Sequence, residues 1–184
     1  MPSLVLASES PRRRELLTLA GFQFAVRARP IAEVRKPGET PVHYARRLAH
    51  EKATAASPRP GEIVLGADTI VVVDDRVLGK PADEQEARAM LRLLSGREHT
   101  VITGICLVHD DRTISDHAST DVQFGVLHDA EIEDYVHSGE LMGKAGAYAI
   151  QGLASKFIER IDGCYFNVMG LPLSLVYRHW KALT

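Results

Sequence analysis

Ile63 to Val73 is an apolar run, and at its centre stand Gly66-Ala67-Asp68-Thr69. Ser57-Pro58-Arg59-Pro60-Gly61 breaks the chain before it and Asp74-Asp75 turns the chain after it. Its Ile and Val content reads as a buried strand, so the rest of the chain must supply elements to cover it. A carboxylate and a hydroxyl inside such a strand need partners, because an unpaired polar group costs roughly 2–7 kcal/mol out of water. Asp68 is therefore either a structural acceptor or a working carboxylate. Gly66 and Ala67 would let a ligand or metal approach closely.

Strand-like and helix-like segments alternate around this run, which implies an α/β protein. Leu4 to Ala7 reads as a strand. Ser10 and Pro11 fit the N-cap and first position of a helix that Gly21 closes. Phe22 to Ala28 reads as a second strand, and Arg29 to Gly38 as an irregular polar stretch containing Glu33. Thr40-Pro41 opens an Ala-rich helix to about Ala56. Asp83 and Glu86 have capping-box spacing before a helix with Ala87, Met90, Leu91 and Leu94 inward and Gly96 beyond its end. Thr100–Val108 and Thr113–Phe124 read as a hairpin about Asp110-Asp111. Asp129 caps a short helix ending near Gly139, Gly143 to Gly152 is loop-like, Phe157 to Ile161 is a last strand, and Leu171 to Leu183 a terminal amphipathic helix. No repeat or linker divides the 184 residues, so residues 1–184 are expected to form one domain.

The first helix carries Arg12, Arg13 and Arg14 in its opening turn. Cations at that end oppose the helix dipole, whereas an anion bound there would be held by free N–H groups and guanidinium forks together. The formal net charge is −2, so the chain has no global basic field for nucleic acid. Anion affinity must be local. Lys80, in Gly79-Lys80-Pro81, and Lys52, in the Ala-rich helix, are either solvated or phosphate-directed. Gln151, in the small-residue segment Lys144 to Gly152, offers the donor and acceptor that reading a base edge requires.

Several chemistries are excluded. Gly61-x-x-x-x-Gly66 is followed by Ala67-Asp68, not the Lys-Ser/Thr of a P-loop. The eight histidines include no helical pair suited to zinc, and there is no Gly-x-Ser-x-Gly elbow. Cys106 and Cys164 read as reduced thiols of a cytoplasmic protein. No signal peptide or membrane-length apolar segment is expected.

Ala7-Ser8-Glu9-Ser10-Pro11-Arg12-Arg13, Arg47-Leu48-Ala49 with Lys52-Ala53, Gly66-Ala67-Asp68-Thr69, Gly79-Lys80-Pro81, Lys144-Ala145-Gly146-Ala147-Tyr148 with Gln151-Gly152, and Gly170-Leu171-Pro172 together resemble the Maf family of nucleoside triphosphate pyrophosphatases. The resemblance covers nearly the whole chain in order. It implies an inosine-triphosphatase-like (Maf/Ham1) α/β fold, a long mixed sheet with flanking helices and a cleft between two lobes. Arg12, Thr69 and Gln151 match the specificity positions of the branch acting on dTTP and UTP. By the same resemblance Asp68 is the proton acceptor, Glu33 and Asp68 hold a divalent cation (Mg²⁺ or Mn²⁺), and Ser8, Arg13, Lys52 and Lys80 bind substrate. Homodimers are common in the family, and the partner is a free nucleotide, with no nucleic acid and no membrane.

The expected reaction is attack of an Asp68-activated water on the α-phosphorus, releasing pyrophosphate. Two other classes stay open from sequence: a nucleotide-binding regulator of septum formation with little turnover, and a nucleic-acid binder using the arginines. The net charge counts against the second.

Overall fold

In the computed structural model, which describes residues 2–184, the chain runs β1 (Ser3–Leu6), α1 (Pro11–Leu19), β2 (Phe24–Val26), α2 (Pro41–Ala55), β3 (Glu62–Val73), β4 (Arg76–Leu78), α3 (Glu84–Leu94), β5 (Glu98–His109), β6 (Arg112–Phe124), α4 (Asp129–His137), β7 (Ile158–Asp162), α5 (Tyr165–Met169) and α6 (Leu173–Leu183). The strands make one seven-stranded mixed sheet in the order β2-β1-β3-β5-β6-β7, with β4 added to the far end of β3. β1 lies parallel to β2 and β3, while β3, β5, β6 and β7 alternate in direction.

β3 is the spine, and its period-2 alternation assigns its two faces. Val64 packs with Ala49 and Ala53 of α2, and Ile70 with Tyr44, Ala45 and Leu48 of the same helix. Ile63, Leu65 and Ala67 point the other way, into a cluster with Leu16 and Leu17 of α1 and Val176 and Leu183 of α6. Val71 and Val73 enter a third cluster with α3, α4 and the 145–157 segment. Asp68 therefore faces α2, and Thr69 the opposite side.

α2 lies tight on the sheet because two strand residues lack side chains there. A Cβ on Gly66 would fall 2.0 Å from the Ala49 carbonyl oxygen, and one on Gly104 of β5 would fall 2.4 Å from that of Ala45. The space expected beside Gly66 for a ligand is occupied by the backbone of α2.

Other expectations change at element ends. The second strand starts at Phe24 rather than Phe22 because the Phe22 amide still donates to the Leu17 carbonyl of α1 at 3.0 Å, while its ring packs edge-on against Trp180 of α6, centroids 5.6 Å apart. Ser10 occupies the N-cap of α1, but its side chain makes no capping bond; its own amide donates to Ser8 Oγ at 3.3 Å. The N-cap of α4 is His128 rather than Asp129, with Glu131 reaching back to accept from the His128 amide at 2.9 Å. Asp83 does cap α3, accepting from the Glu86 amide at 2.8 Å, but the Glu86 carboxylate takes the Ala82 amide and so does not close the box on Asp83. The terminal helix forms as expected but starts at Leu173, after Pro172, and a short helix, α5, that the sequence reading lacks precedes it and ends at Gly170, which takes a left-handed φ of 114°. Phe157 ends a 3-10 turn, so the last strand starts at Ile158.

Candidate active site

Two neighbours of β3 stop short of each other. β1 pairs with it only as far as Leu65, and β4 joins only at Val71. Between them one edge of Gly66–Ile70 has no strand beside it, and a cavity of about 1030 Å³ opens there. This size lies at the upper end of the range for small-molecule sites. The discontinuity resembles the switch points where α/β sheets take ligands.

Asp68 sits on that edge, 6% exposed. Lys52 Nζ donates to Asp68 Oδ1 at 2.6 Å and lies 2.8 Å from Glu33 Oε1. The close seating of α2 over Gly66 brings Lys52 to this depth. Glu33 comes from the irregular stretch between β2 and α2, which is fixed by the Tyr44 hydroxyl donating to the Glu33 carbonyl at 2.9 Å. Burial pushes the Asp68 carboxyl above the usual carboxylate range, although Lys52 and Arg13 oppose the shift. Burial also acts to raise Glu33, but the hydrogen bond and charge of Lys52, with Lys80 and Arg13 beyond, outweigh it and hold Glu33 low. Two carboxylates in one site thus have different proton affinities, the arrangement that separates acid from base roles.

The three arginines of α1 have three fates, because successive helical residues are about 100° apart. Arg13 turns inward and is 8% exposed. Its Nε donates to the Gly170 carbonyl at 2.8 Å, Nη1 to Ser8 Oγ at 3.0 Å and Nη2 to Thr69 Oγ1 at 3.0 Å. Burial lowers its proton affinity, countered first by the charge of Asp68. Arg12 faces the cavity and is in no ion pair among the described residues; burial lowers it, with Glu15 and Tyr135 opposing. Arg14 is exposed, donates to the Glu9 carbonyl at 3.3 Å and does not line the cavity.

Thr69 lines the cavity, but its hydroxyl is already engaged: it accepts from Arg13 and shares a hydrogen with Thr103 Oγ1 at 2.9 Å. Lys80 is exposed on the cavity wall. Its turn is joined to the 144–152 segment by the Gly146 amide donating to the Gly79 carbonyl at 3.0 Å. Gly146 has φ of 69°, and a Cβ there would meet Val71 Cγ2 at 2.8 Å. The small residues of this segment therefore serve its contact with β3. Gln151 is exposed on the cavity wall.

The structure thus gathers Ser8, Arg12, Arg13, Glu33, Lys52, Asp68, Thr69, Lys80 and Gln151 around one cavity. It adds Lys144, to which sequence reasoning gave no role. Lys144 Nζ donates to the Glu140 carbonyl, and burial and the nearby Arg12 both lower its proton affinity. The signal was a cation at the head of a segment otherwise made of small residues. Among the described residues no three His, Cys, Asp or Glu side chains form a metal-binding group. Glu33 and Asp68 nevertheless converge on one point, the Lys52 ammonium. Two carboxylates completed by phosphate oxygens suit Mg²⁺, which is commonly held that way.

A sequence model described as Maf-like protein matches residues 3–183. A protein of Koribacter versatilis (strain Ellin345) named dTTP/UTP pyrophosphatase is 51% identical over 176 residues, covering 95% of this chain and 91% of that protein. One of Geobacillus sp. (strain WCH70) with the same name is 47% identical over 184 residues, covering 100% and 99%. A solved HAM1 protein from Coxiella burnetii superposes with a TM-score of 0.48 at 22% identity, over 67% of this chain and 73% of that one.

Proposed function

The chain belongs to the Maf-like protein family, and from this and the cavity we propose that it hydrolyses dTTP and UTP to the nucleoside monophosphate and pyrophosphate. The observation that carries the reading is the buried Asp68–Lys52 pair, on a cavity whose walls offer Arg12, Lys80 and Lys144. A carboxylate with raised proton affinity beside clustered cations suits water activation next to a polyanion.

Asp68 takes the proton of an attacking water. The water oxygen bonds to the α-phosphorus as the bond to the α–β bridging oxygen breaks, and pyrophosphate leaves with that electron pair. Arg12, Lys80 and Lys144 meet the phosphate charge, and Arg13 adds the guanidinium hydrogens not used by Ser8, Thr69 and Gly170. Most of the acceleration comes from fixed charge and positioning. Glu33 and Asp68 would hold a Mg²⁺ or Mn²⁺ ion, which when bound neutralises phosphate charge. Lys52 keeps the two carboxylates together. Gln151 reads the pyrimidine edge: its amide donates to a ring carbonyl and accepts from N3–H. Thr69 contributes by holding Arg13 in place. No helix among the described residues is long and apolar enough to cross a membrane. We place the reaction in the cytoplasm, on free nucleotides.

The test is pyrophosphate release by the purified protein with dTTP, UTP, CTP and 7-methyl-GTP. Turnover concentrated on dTTP and UTP is expected. Nucleotide binding without pyrophosphate release would make the protein a binding regulator instead.

A further inference from the structure

A side chain that reads a base must be held more firmly than its exposure suggests, because discrimination depends on what is left unpaired when the wrong base enters. Gln151 is exposed, so its position has to come from its backbone. Two side chains outside the cavity supply it. The Tyr135 hydroxyl, on α4, donates to Glu140 Oε1 at 2.8 Å and accepts from the Ala149 amide at 3.2 Å. The other carboxylate oxygen, Glu140 Oε2, accepts from the Leu153 amide at 2.9 Å. The amides two residues before and two residues after Gln151 are thus tied to one hydroxyl–carboxylate pair.

The fit is close on both sides. A Cβ on Gly152 would fall 2.2 Å from Glu140 Oε2, so the loop rests directly on the carboxylate. Tyr135 is 2% exposed, its ring edge-on to Phe157 with centroids 5.6 Å apart. Burial, and next the hydrogen bond to Glu140, raise the phenol, so it stays protonated and remains a donor. The Glu140 carbonyl also receives the Lys144 ammonium, so the same residue anchors a cation of the cavity wall. Neither Tyr135 nor Glu140 lines the cavity.

We propose that Tyr135 and Glu140 are positioning residues that set nucleobase selectivity by fixing the backbone on either side of Gln151. This rests on the reading of Gln151 given above. Losing one tie does not unfold the loop. It lets Gln151 sample orientations in which the correct base is no better matched than a wrong one.

Tyr135→Phe keeps the ring and removes both hydroxyl bonds, and Glu140→Gln keeps the shape and weakens the acceptor pair. For both, KM for dTTP and UTP should rise about fivefold to tenfold, the equivalent of about one hydrogen bond. Their advantage over CTP should shrink in proportion, while kcat and inhibition by pyrophosphate stay within about twofold. Adding Tyr135→Phe to Gln151→Ala should cost no further selectivity, because both act through one side chain. A loss by the same factor for all three nucleotides, or further loss of selectivity in the double variant, would overturn the proposal. If Gln151→Ala alone leaves discrimination intact, the base-reading assignment fails and the role of the pair falls with it. If no nucleotide is turned over, calorimetric binding of dTTP and CTP decides. Selective binding that Tyr135→Phe weakens keeps the pair and discards only the hydrolytic reading; binding that Tyr135→Phe leaves unchanged discards the pair.

Discussion

His99 should make the protein lose stability as the pH falls from 7 to 5. The ring is 2% exposed on β5, edge-on to Phe124 and Tyr148, with Nε2 2.8 Å from the Tyr148 hydroxyl. Burial lowers its pKa from 6.5 to about 4, with Asp121 opposing weakly. The unfolded chain therefore takes up this proton at higher pH than the folded one. Acid pulls the equilibrium toward the unfolded state, and the stability present above pH 6.5 disappears as the pH passes down through about 4. At 1.36 kcal/mol per pH unit the full effect is about 3 kcal/mol, of which about 2 kcal/mol is lost between pH 7 and pH 5. Urea unfolding at both pH values, for the wild type and for His99→Gln, isolates this contribution from the other titrating groups. The glutamine can still partner Tyr148 but does not titrate. Its stability should therefore fall less over that interval, by about 2 kcal/mol. Parallel losses in the two proteins would show that His99 charges as easily folded as unfolded, refuting the assignment.

Asp68→Asn should reduce pyrophosphate release about 10²–10⁴-fold with the fold retained, and wild-type turnover would remove Asp68 from the chemistry. Arg12→Ala should raise KM for the triphosphates with little change in melting temperature. Arg13→Ala should lower both activity and melting temperature, since it strands Ser8, Thr69 and the Gly170 carbonyl; thermal melts alongside kinetics separate the two. Gly66→Ala should destabilise the chain by about 1–3 kcal/mol and weaken catalysis as α2 and Lys52 shift outward; an unchanged melt and rate would show that the contact yields freely.

The alternation of strands and helices was legible because each element carries its own period, and β3, β5 and β6 announce themselves by length and β-branching. The cation–carboxylate cluster was not legible from spacing. Glu33, Lys52 and Asp68 lie on a loop, a helix and a strand, and meet only because α2 folds back onto β3 over Gly66. Resemblance named them individually without showing that Lys52 holds the two carboxylates together. The arginines show the same limit. Adjacent in sequence, they are a cavity cation, a buried tie and a solvated charge, because α1 is oriented by contacts far along the chain, the Gly170 carbonyl among them. The space assigned to Gly66 was read correctly as space but given to the wrong occupant. A missing side chain marks close approach without saying by what.

The cavity depends on where pairing stops. Leu65 is the last β3 residue paired with β1 and Val71 the first paired with β4. Extending either flanking strand by a few residues would carry the ladder across Gly66–Ile70, close that edge beside Asp68, and draw Ser8 after β1 or Lys80 after β4 into the sheet. For anyone transplanting this chemistry to another sheet, the residues are therefore the second requirement. The first is a long central strand flanked by two short ones that end before they meet.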